Sequence, residues 1–301
     1  MENKMKNVLL IVNPVAGKLR MRSELFDVIE VFSNNDCLVT TALTQYRGHA
    51  KELAADAYRN GFDAVVCCGG DGTLNEVMSG LLSSEKSARV GLGYIPAGST
   101  NDFANTLGIP SIPTAAAVNI FKSVRTGIDV GKFGDDRIFS YIATFGAFSA
   151  ASYTAPQELK NSIGHLAYLL EGIKQLGNMK KYSARIIADG REFSGDYIYC
   201  SVSNTRSVAG LVKLSENLVD LHDGLFEVIL VKYPENLFDT NKIVTGVLSN
   251  DFSGDMFEFF KAKDIVFATD EDVDWSLDGE KAEGGRFVRI ENLHSAIEMY
   301  I

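Results

Sequence analysis

The sequence predicts an α/β domain built on a parallel sheet, followed by an antiparallel β-sandwich with helical insertions. Two observations carry this prediction. Within residues 1–128, apolar runs of strand length alternate with stretches whose apolar residues recur at helical spacing, which is typical of βα units. Within residues 129–291, short runs that alternate apolar and polar residues are separated by Gly and Asp turns, which favours a sandwich.

Composition limits the class of protein. The chain has 301 residues, of which 46% are apolar and 23% are charged, as in ordinary globular proteins. No apolar run approaches the roughly 18–20 residues that cross a bilayer, and the polar N-terminus does not resemble a signal peptide, so we expect a cytoplasmic location. The four cysteines show no metal-binding spacing, and the net charge of −10 argues against broad binding to nucleic acid.

The first half is expected to contain strands that each end in a polar turn and lead into a helix. The predicted strands are Asn7–Val12, Cys37–Leu43, a third that includes Ala64–Val66, and Val90–Ile95. Because every turn follows a strand of one parallel sheet, the turns should gather at its carboxyl edge, where ligands bind in such folds.

The third of these turns is the most informative segment. It is spelled Gly69-Gly70-Asp71-Gly72-Thr73-Leu74-Asn75-Glu76. Glycines let the backbone turn sharply and approach a ligand, and a helix start presents N–H groups that favour phosphate. The Walker pattern fails at Val12, and the dinucleotide pattern fails at Asn75. An ordinary strand-to-helix turn remains the alternative.

Two further turns have the same character. They are Asn13-Pro14-Val15-Ala16-Gly17-Lys18 and Pro96-Ala97-Gly98-Ser99-Thr100-Asn101-Asp102-Phe103-Ala104. Pro14 and Gly17 explain the first turn without any function, whereas backbone N–H groups with Lys18 or Arg20 could contact phosphate.

The second half is read as strands with two helical insertions. The strands are predicted at 128–133, 138–144, 183–188, 197–203, 225–231, 265–268, 287–290 and 296–300, and the helices near Ser162–Leu176 and Thr240–Phe260.

Two acidic pairs stand in this half. Asp220 and Asp223 precede a strand, and Asp278 and Glu280 follow Trp275. On an extended segment Asp278 and Glu280 would share a face. Carboxylates of this type suit Mg²⁺ or accept a proton from a hydroxyl nucleophile, although Asp-Gly before a strand is also a common turn.

Together these segments resemble the soluble bacterial diacylglycerol kinase family, which is related to sphingosine and ceramide kinases. The Gly-Asp-Gly-Thr core around Asp71 is shared with NAD kinases and phosphofructokinases, whereas the segment from Gly98 to Phe103 and the closing Asp278-Gly279-Glu280 narrow the resemblance to lipid kinases. The resemblance implies an N-terminal nucleotide-binding domain, a C-terminal lipid and metal domain, and a last strand, 292–301, that returns to the first domain. It also implies a cleft between the domains that holds ATP and the lipid head group.

The resemblance further implies roles for individual residues. The nucleotide contacts would be Asn13, Pro14, Val15, Ala16, Gly17, Thr44, Gly70, Asp71, Gly72, Thr73, Leu74, Asn75, Glu76 and Ser99. Asp220, Asp223 and the carbonyl of Leu225 would bind Mg²⁺. Glu280 would be the base, with Asp278 beside it, and Asp71 would act near a catalytic cation together with Asp102.

The chain departs from the family pattern at three positions. Ala16 stands where Ser is frequent, Ser99 where Thr is frequent, and Asn105 where an Arg is common. Lys160 is a candidate for the missing positive charge.

Several alternatives stay open at this point. The protein could instead phosphorylate a soluble hydroxyl compound such as NAD, or bind lipid without catalysis. The apolar stripe Ile163–Ile173, with Lys180 and Lys181 after it, could rest on the inner membrane face or simply pack on the sandwich. The sequence fixes neither the acceptor lipid nor the oligomeric state, a homodimer included.

Overall fold

The structure is a computed structural model that describes residues 5–83, 89–99, 101–146, 180–205, 207–208, 212–213 and 220–301. The chain divides into two compact units. The first comprises Met1–Val130 and His294–Ile301, and the second comprises Gly131–Leu293. No helix in the described ranges combines the length and the apolar character needed to cross a bilayer.

The first unit alternates strands and helices. Its strands are β1 (Asn7–Val12), β2 (Leu38–Leu43), β3 (Ala64–Gly69) and β4 (Gly91–Pro96), and its helices are α1 (Arg20–Ser33), α2 (His49–Ala55), α3 (Asp71–Leu81), α4 (Asp102–Thr106) and α5 (Pro113–Lys122). A 3-10 turn, Ala16–Leu19, precedes α1. β5 (Arg125–Phe133) and β17 (Phe287–Tyr300) contribute residues to both units.

The sheet of the first unit is parallel, as predicted. Its order is β17-β4-β3-β1-β2, and each neighbouring pair runs in the same direction. All six residues of β3 are buried, as expected for a central strand that is covered on both faces. The last strand pairs with β4 through Met299 and Leu92.

The second unit consists mainly of antiparallel strands, also as predicted. Its described strands are β6 (Arg137–Phe139), β7 (Ile142–Gly146), β8 (Tyr182–Ala188), β9 (Arg191–Ser203), β10 (Ser207–Val208), β11 (Val212–Lys213), β12 (Phe226–Lys232), β13 (Phe257–Ala262), β14 (Asp264–Thr269), β15 (Asp274–Leu277) and β16 (Glu280–Glu283), and the described part of the unit also contains helix α6 (Leu237–Ser249). The main order is β16-β15-β7-β9-β8-β14-β17, and β12 pairs with β9 and β13. Two sheets packed face to face stay a prediction.

The predicted helix Thr240–Phe260 is wrong in its second half. Helix α6 ends at Ser249 because Asn250 adopts a left-handed conformation, with φ of 54°. Phe257 and Phe260 belong instead to β13, which pairs with β12. Three Phe residues at close spacing fit either periodicity, and the pairing partner decides between them. The predicted helix Ser162–Leu176 lies outside the described residues.

Candidate active site

Hydrogen bonds of Asn13 connect the turn after β1 to the turn after β3. Its backbone N–H donates to the carbonyl of Cys68 at 2.9 Å, and its Nδ2 donates to Oγ1 of Thr73 at 2.9 Å. Its Oδ1 accepts the N–H of Val15 at 3.1 Å. The side chain of Asn13 therefore holds the first predicted nucleotide-binding turn against the start of α3.

Three glycines allow the turns to pack backbone against backbone. A Cβ at Gly98 would lie 2.6 Å from Cα of Gly70, and a Cβ at Gly17 would lie 1.8 Å from the carbonyl oxygen of Ala97. Gly17 also has a φ of 51°, which L side chains rarely adopt. These glycines are needed for contact between the turns, whereas the sequence predicted for Gly70 a close approach of the backbone to a ligand.

The carboxylate of Asp71 holds the start of α4. It accepts the N–H of Asp102 at 3.1 Å and the N–H of Phe103 at 3.4 Å, which would otherwise lack a partner at a helix start. Burial, with the nearby Asp71 carboxylate, raises the pKa of Tyr94 far above its usual value. Asp71 therefore holds the turn after β4 beside the turn after β3. Its carboxylate lies next to the backbone of Asp102.

Asn101 fixes the shape of the fourth turn, and sequence reasoning missed this role. Its φ of 52° is left-handed, its Oδ1 accepts the N–H of Gly98 at 2.9 Å, and its Nδ2 donates to the carbonyl of Gly98 at 3.0 Å. The only sequence signal is that Asn tolerates the left-handed region better than most residues. Ser99 is exposed in this turn, and Thr100 lies outside the described residues.

Glu76 connects α3 to the turn after β2. Its carboxylate accepts the N–H of Gly48 at 2.8 Å and the N–H of Ala50 at 3.2 Å at the start of α2. Thr44 precedes this turn, and its N–H donates to the carbonyl of Val12 at 2.9 Å. A positioning role therefore accounts for Glu76 without a nucleotide.

The remaining predicted contacts differ in exposure. Leu74 is fully buried and its N–H bonds to the carbonyl of Gly70, so Leu74 packs in the core. Gly72 and Val15 are exposed, and Pro14, Ala16 and Asn75 are partly exposed. The side chains of Lys18 and Arg20, and all of Lys160, lie outside the described part of the chain.

The start of α3 fits an anion. The helix has eleven residues, and its N-cap, Gly70, provides no side chain that caps the first N–H groups. Helix starts carry partial positive charge, and phosphate is the ligand they commonly bind. The turn set therefore fits the phosphates of a nucleotide.

In the second unit, Asp278 and Gly279 form the turn of the β15–β16 hairpin. Their φ values are 49° and 85°, and Leu277 pairs with Glu280 across the turn. Positive φ at both central residues is the I′ geometry that Asp-Gly favours. The expectation that Asp278 and Glu280 share a face of one extended segment is therefore wrong.

Asp278 anchors this hairpin to the segment before β7. Its carboxylate accepts the N–H groups of Ser140, Tyr141 and Ile142, the last two at 3.0 Å each. Trp275 is buried and packs edge-on against Phe145 and Phe267. Glu280 is exposed and is the first residue of β16. The hairpin that carries it is held by the hydrogen bonds of Asp278 at its turn and by the packing of Trp275 on its other strand.

The loop before β12 carries the predicted magnesium ligands. One carboxylate oxygen of Asp220 accepts the N–H of His222, and one of Asp223 accepts the N–H of Leu225, each at 3.0 Å. Two carboxylates and a carbonyl are donors that suit Mg²⁺, so their chemistry fits. No three His, Cys, Asp or Glu side chains lie together as a metal site within the described ranges.

A lysine lies between this loop and a buried glutamate. Nζ of Lys261 is 2.8 Å from Oδ2 of Asp223 and 3.1 Å from Oε1 of Glu227. Burial lowers the pKa of Lys261, but its hydrogen bonds to both carboxylates outweigh that effect and raise it. Burial raises the pKa of Glu227 to about 7, against the opposing effect of Lys261.

We expect Glu227→Gln to flatten the dependence of stability on pH. Between pH 4.5 and 7 the folded protein holds a proton on Glu227 that the unfolded chain has released. The contribution of Glu227 to the free energy of unfolding therefore falls as the pH rises through this range. The raised pKa of Glu227 corresponds to a loss of roughly 3 kcal/mol in the free energy of unfolding across this pH range. Urea unfolding at both ends of this range measures it, with Glu258→Gln on β13 as the control. An unchanged slope in Glu227→Gln would contradict the assignment.

Comparison with known proteins identifies the class. Residues 7–133 match the model of the diacylglycerol kinase catalytic domain. A diacylglycerol kinase of Bacillus subtilis strain 168 is 33% identical over 92% of this chain and 90% of its own length. One of Staphylococcus aureus strain MRSA252 is 33% identical over 91% of this chain and 86% of its own.

Solved structures agree with these relatives. A provisionally named diacylglycerol kinase of Bacillus anthracis strain Sterne has a TM-score of 0.82 at 26% identity, covering 100% of this chain and 97% of its own. The parallel sheet with its joined turns, together with these matches, defines a protein of the lipid kinase class. The chain belongs to the diacylglycerol kinase family.

Proposed function

We propose that the protein transfers the γ-phosphoryl group of ATP to the hydroxyl of diacylglycerol or a related lipid. The observation that carries the proposal is the joining of three carboxyl-edge turns around Gly17, Gly70 and Gly98, in a chain of the diacylglycerol kinase family. Positioning and charge supply most of the catalysis in phosphoryl transfer, and hydrogen bonds between these turns hold them in one arrangement that can contribute to both.

In the proposal the nucleotide phosphates lie at the start of α3. The turns at 13–17 and 70–76, with Thr44 and Ser99, line the nucleotide, and the N–H groups of the first residues of α3, Asp71 to Thr73, contact its phosphates. Glu76, Asn13 and Asp71 hold these turns in place through the hydrogen bonds described above. Mg²⁺ bound with ATP would add positive charge beside the phosphate oxygens, near Asp71 and Asp102.

Glu280 acts as the base. Its carboxylate takes the proton of the lipid hydroxyl, whose oxygen bonds to the γ-phosphorus while the bond to the bridging oxygen of ADP breaks. The products are ADP and a lipid phosphate monoester. Asp278 positions Glu280 by fixing the hairpin turn, and Asp220, Asp223 and the carbonyl of Leu225 are the proposed site of a second, structural Mg²⁺.

In this proposal each unit has a different role. The first is the nucleotide-binding domain, and the second, with its proposed sandwich, is the lipid and metal domain. Such a protein would act from the cytoplasm on lipids of the inner membrane face.

A comparison of acceptors tests the proposal. Radiolabelled ATP and Mg²⁺ are supplied with short-chain diacylglycerol in micelles, with NAD, or with a total lipid extract, and the product is identified by mass. We expect label in a lipid phosphate and none in NADP. Transfer to NAD alone would indicate a kinase of soluble metabolites, and vesicle binding without ATP turnover would indicate a lipid-binding protein.

A further inference from the structure

Strand β4 carries a buried tyrosine, Tyr94, to which the proposed reaction assigns no role. Its side chain is 1% exposed, and every residue of the strand is buried. Burying a phenol is favourable for the ring but unfavourable for the hydroxyl, unless the hydroxyl finds a hydrogen-bond partner. The partner of this hydroxyl therefore shows what the tyrosine does.

The pairing of β4 shows to which side of the sheet this ring points. Gly93, the preceding residue, lies on the face that α5 covers, because a Cβ there would lie 2.7 Å from Cδ1 of Ile120. Successive residues of a strand point to opposite faces, so Tyr94 points away from α5. On that side its hydroxyl lies close to the carboxylate of Asp71, at the start of α3.

Two acceptors lie within reach of the hydroxyl of Tyr94. Oδ1 of Asn101 is 3.4 Å away, which is long for an O–H···O bond, and it already accepts the N–H of Gly98 at 2.9 Å. The other acceptor is the carboxylate of Asp71, with which the hydroxyl also forms a hydrogen bond. A phenol has one proton to donate, and a charged acceptor makes the stronger bond. The hydroxyl of Tyr94 therefore donates to Asp71.

This bond adds a second support to the carboxylate of Asp71. The first support comes from α4, whose N–H groups at Asp102 and Phe103 donate to the same carboxylate. An aspartate side chain has only two rotatable bonds, so three donors on two different elements fix its orientation. The strand beneath the turns and the helix after them therefore both position the carboxylate that follows β3.

We propose that Tyr94 is a positioning residue for phosphoryl transfer, whose hydroxyl orients the Asp71 carboxylate and holds the turns after β3 and β4 in one arrangement. The inference rests on the role of Asp71 in the proposed function. Tyr94 acts through Asp71 and does not itself contact the nucleotide or the lipid.

Tyr94→Phe removes the hydroxyl and keeps the ring. We expect single-turnover transfer of labelled phosphate to diacylglycerol, at saturating ATP, to slow by about 10- to 100-fold, as misplacement of a catalytic group does. The affinity for ATP, measured by calorimetry, should stay within a factor of about two. Tyr197→Phe, the same change at a buried tyrosine of the second unit, should transfer at the wild-type rate. A wild-type rate in Tyr94→Phe would overturn the proposal.

A double-variant cycle with Asp71→Ala distinguishes positioning from a general role in the core. Tyr94→Phe should lower the urea midpoint and the transfer rate of the wild type but neither value of Asp71→Ala, in which the hydroxyl has already lost its charged acceptor. Equal losses in both backgrounds would mean that the tyrosine only stabilises the core, and would overturn the proposal. A wild type that transfers no label to lipid would instead refute the proposed function, and the urea midpoints would still decide whether Tyr94 holds Asp71.

Discussion

Replacing Glu280 by Gln is expected to lower turnover by about 10²- to 10⁴-fold, the usual contribution of a general base. Gln has the same shape but cannot take the proton of the lipid hydroxyl at neutral pH. Since Glu280 is exposed at the start of β16, the fold and the affinity for ATP should be unchanged. Steady-state kinetics with diacylglycerol micelles, together with nucleotide binding by calorimetry, measure both effects.

The hairpin supplies a matched control for this variant. Glu283 is exposed on the same short strand, three residues further along. Glu283→Gln changes the charge of the hairpin equally and should leave turnover within a factor of about two. Near-normal activity of Glu280→Gln would remove Glu280 from the role of base.

Replacing Asp71 by Ala should lower transfer by about 10²- to 10³-fold, as the loss of one preorganised polar group commonly does in active sites. The N–H groups of Asp102 and Phe103 lose their acceptor, so the fourth turn is released from α3. A carboxylate beside the proposed cation is lost in the same variant. An unchanged rate with ATP and Mg²⁺ would show that Asp71 is dispensable.

The variant Asp63→Ala is the control that distinguishes a loss of catalysis from a loss of stability in this experiment. Its carboxylate also accepts two backbone N–H groups, those of Lys6 and Asn7, each at 2.8 Å. It precedes β3, whereas Asp71 follows that strand, so Asp63 lies at the opposite edge of the sheet. Asp63→Ala should destabilise the first unit by about 1–3 kcal/mol yet retain turnover of the folded protein.

The sequence predicted the parallel sheet well because each of its strands is a short apolar run closed by a turn. Strand β1 has the predicted limits, Asn7–Val12, and the turns after β1, β3 and β4 meet as expected. The bonds that hold them were not predictable in the same way. Glu76 binds Gly48, and Asp71 binds Asp102, across 28 and 31 residues of sequence. Local patterns contain no information about such partners.

In the second half, local patterns allowed more than one structure. Phe257 and Phe260 fit the helical spacing of the preceding segment, and only pairing with β12 places them in a strand. The Asp278-Gly279 pair is a known turn signal. The two-residue spacing of the Asp278 and Glu280 carboxylates nevertheless suggested an extended segment. The left-handed backbone at Asp278 decides in favour of the turn.

The central claim is that the turns of the first unit and the Glu280 hairpin of the second serve one reaction. Single-turnover transfer of labelled phosphate by Asp71→Asn, Glu280→Gln and the double variant tests it most directly. If the two carboxylates act as one unit in the transfer step, their effects are not additive, so the double variant should be scarcely slower than the slower single variant. A double variant in which the two losses multiply in full would show that the residues act independently, and would contradict the claim.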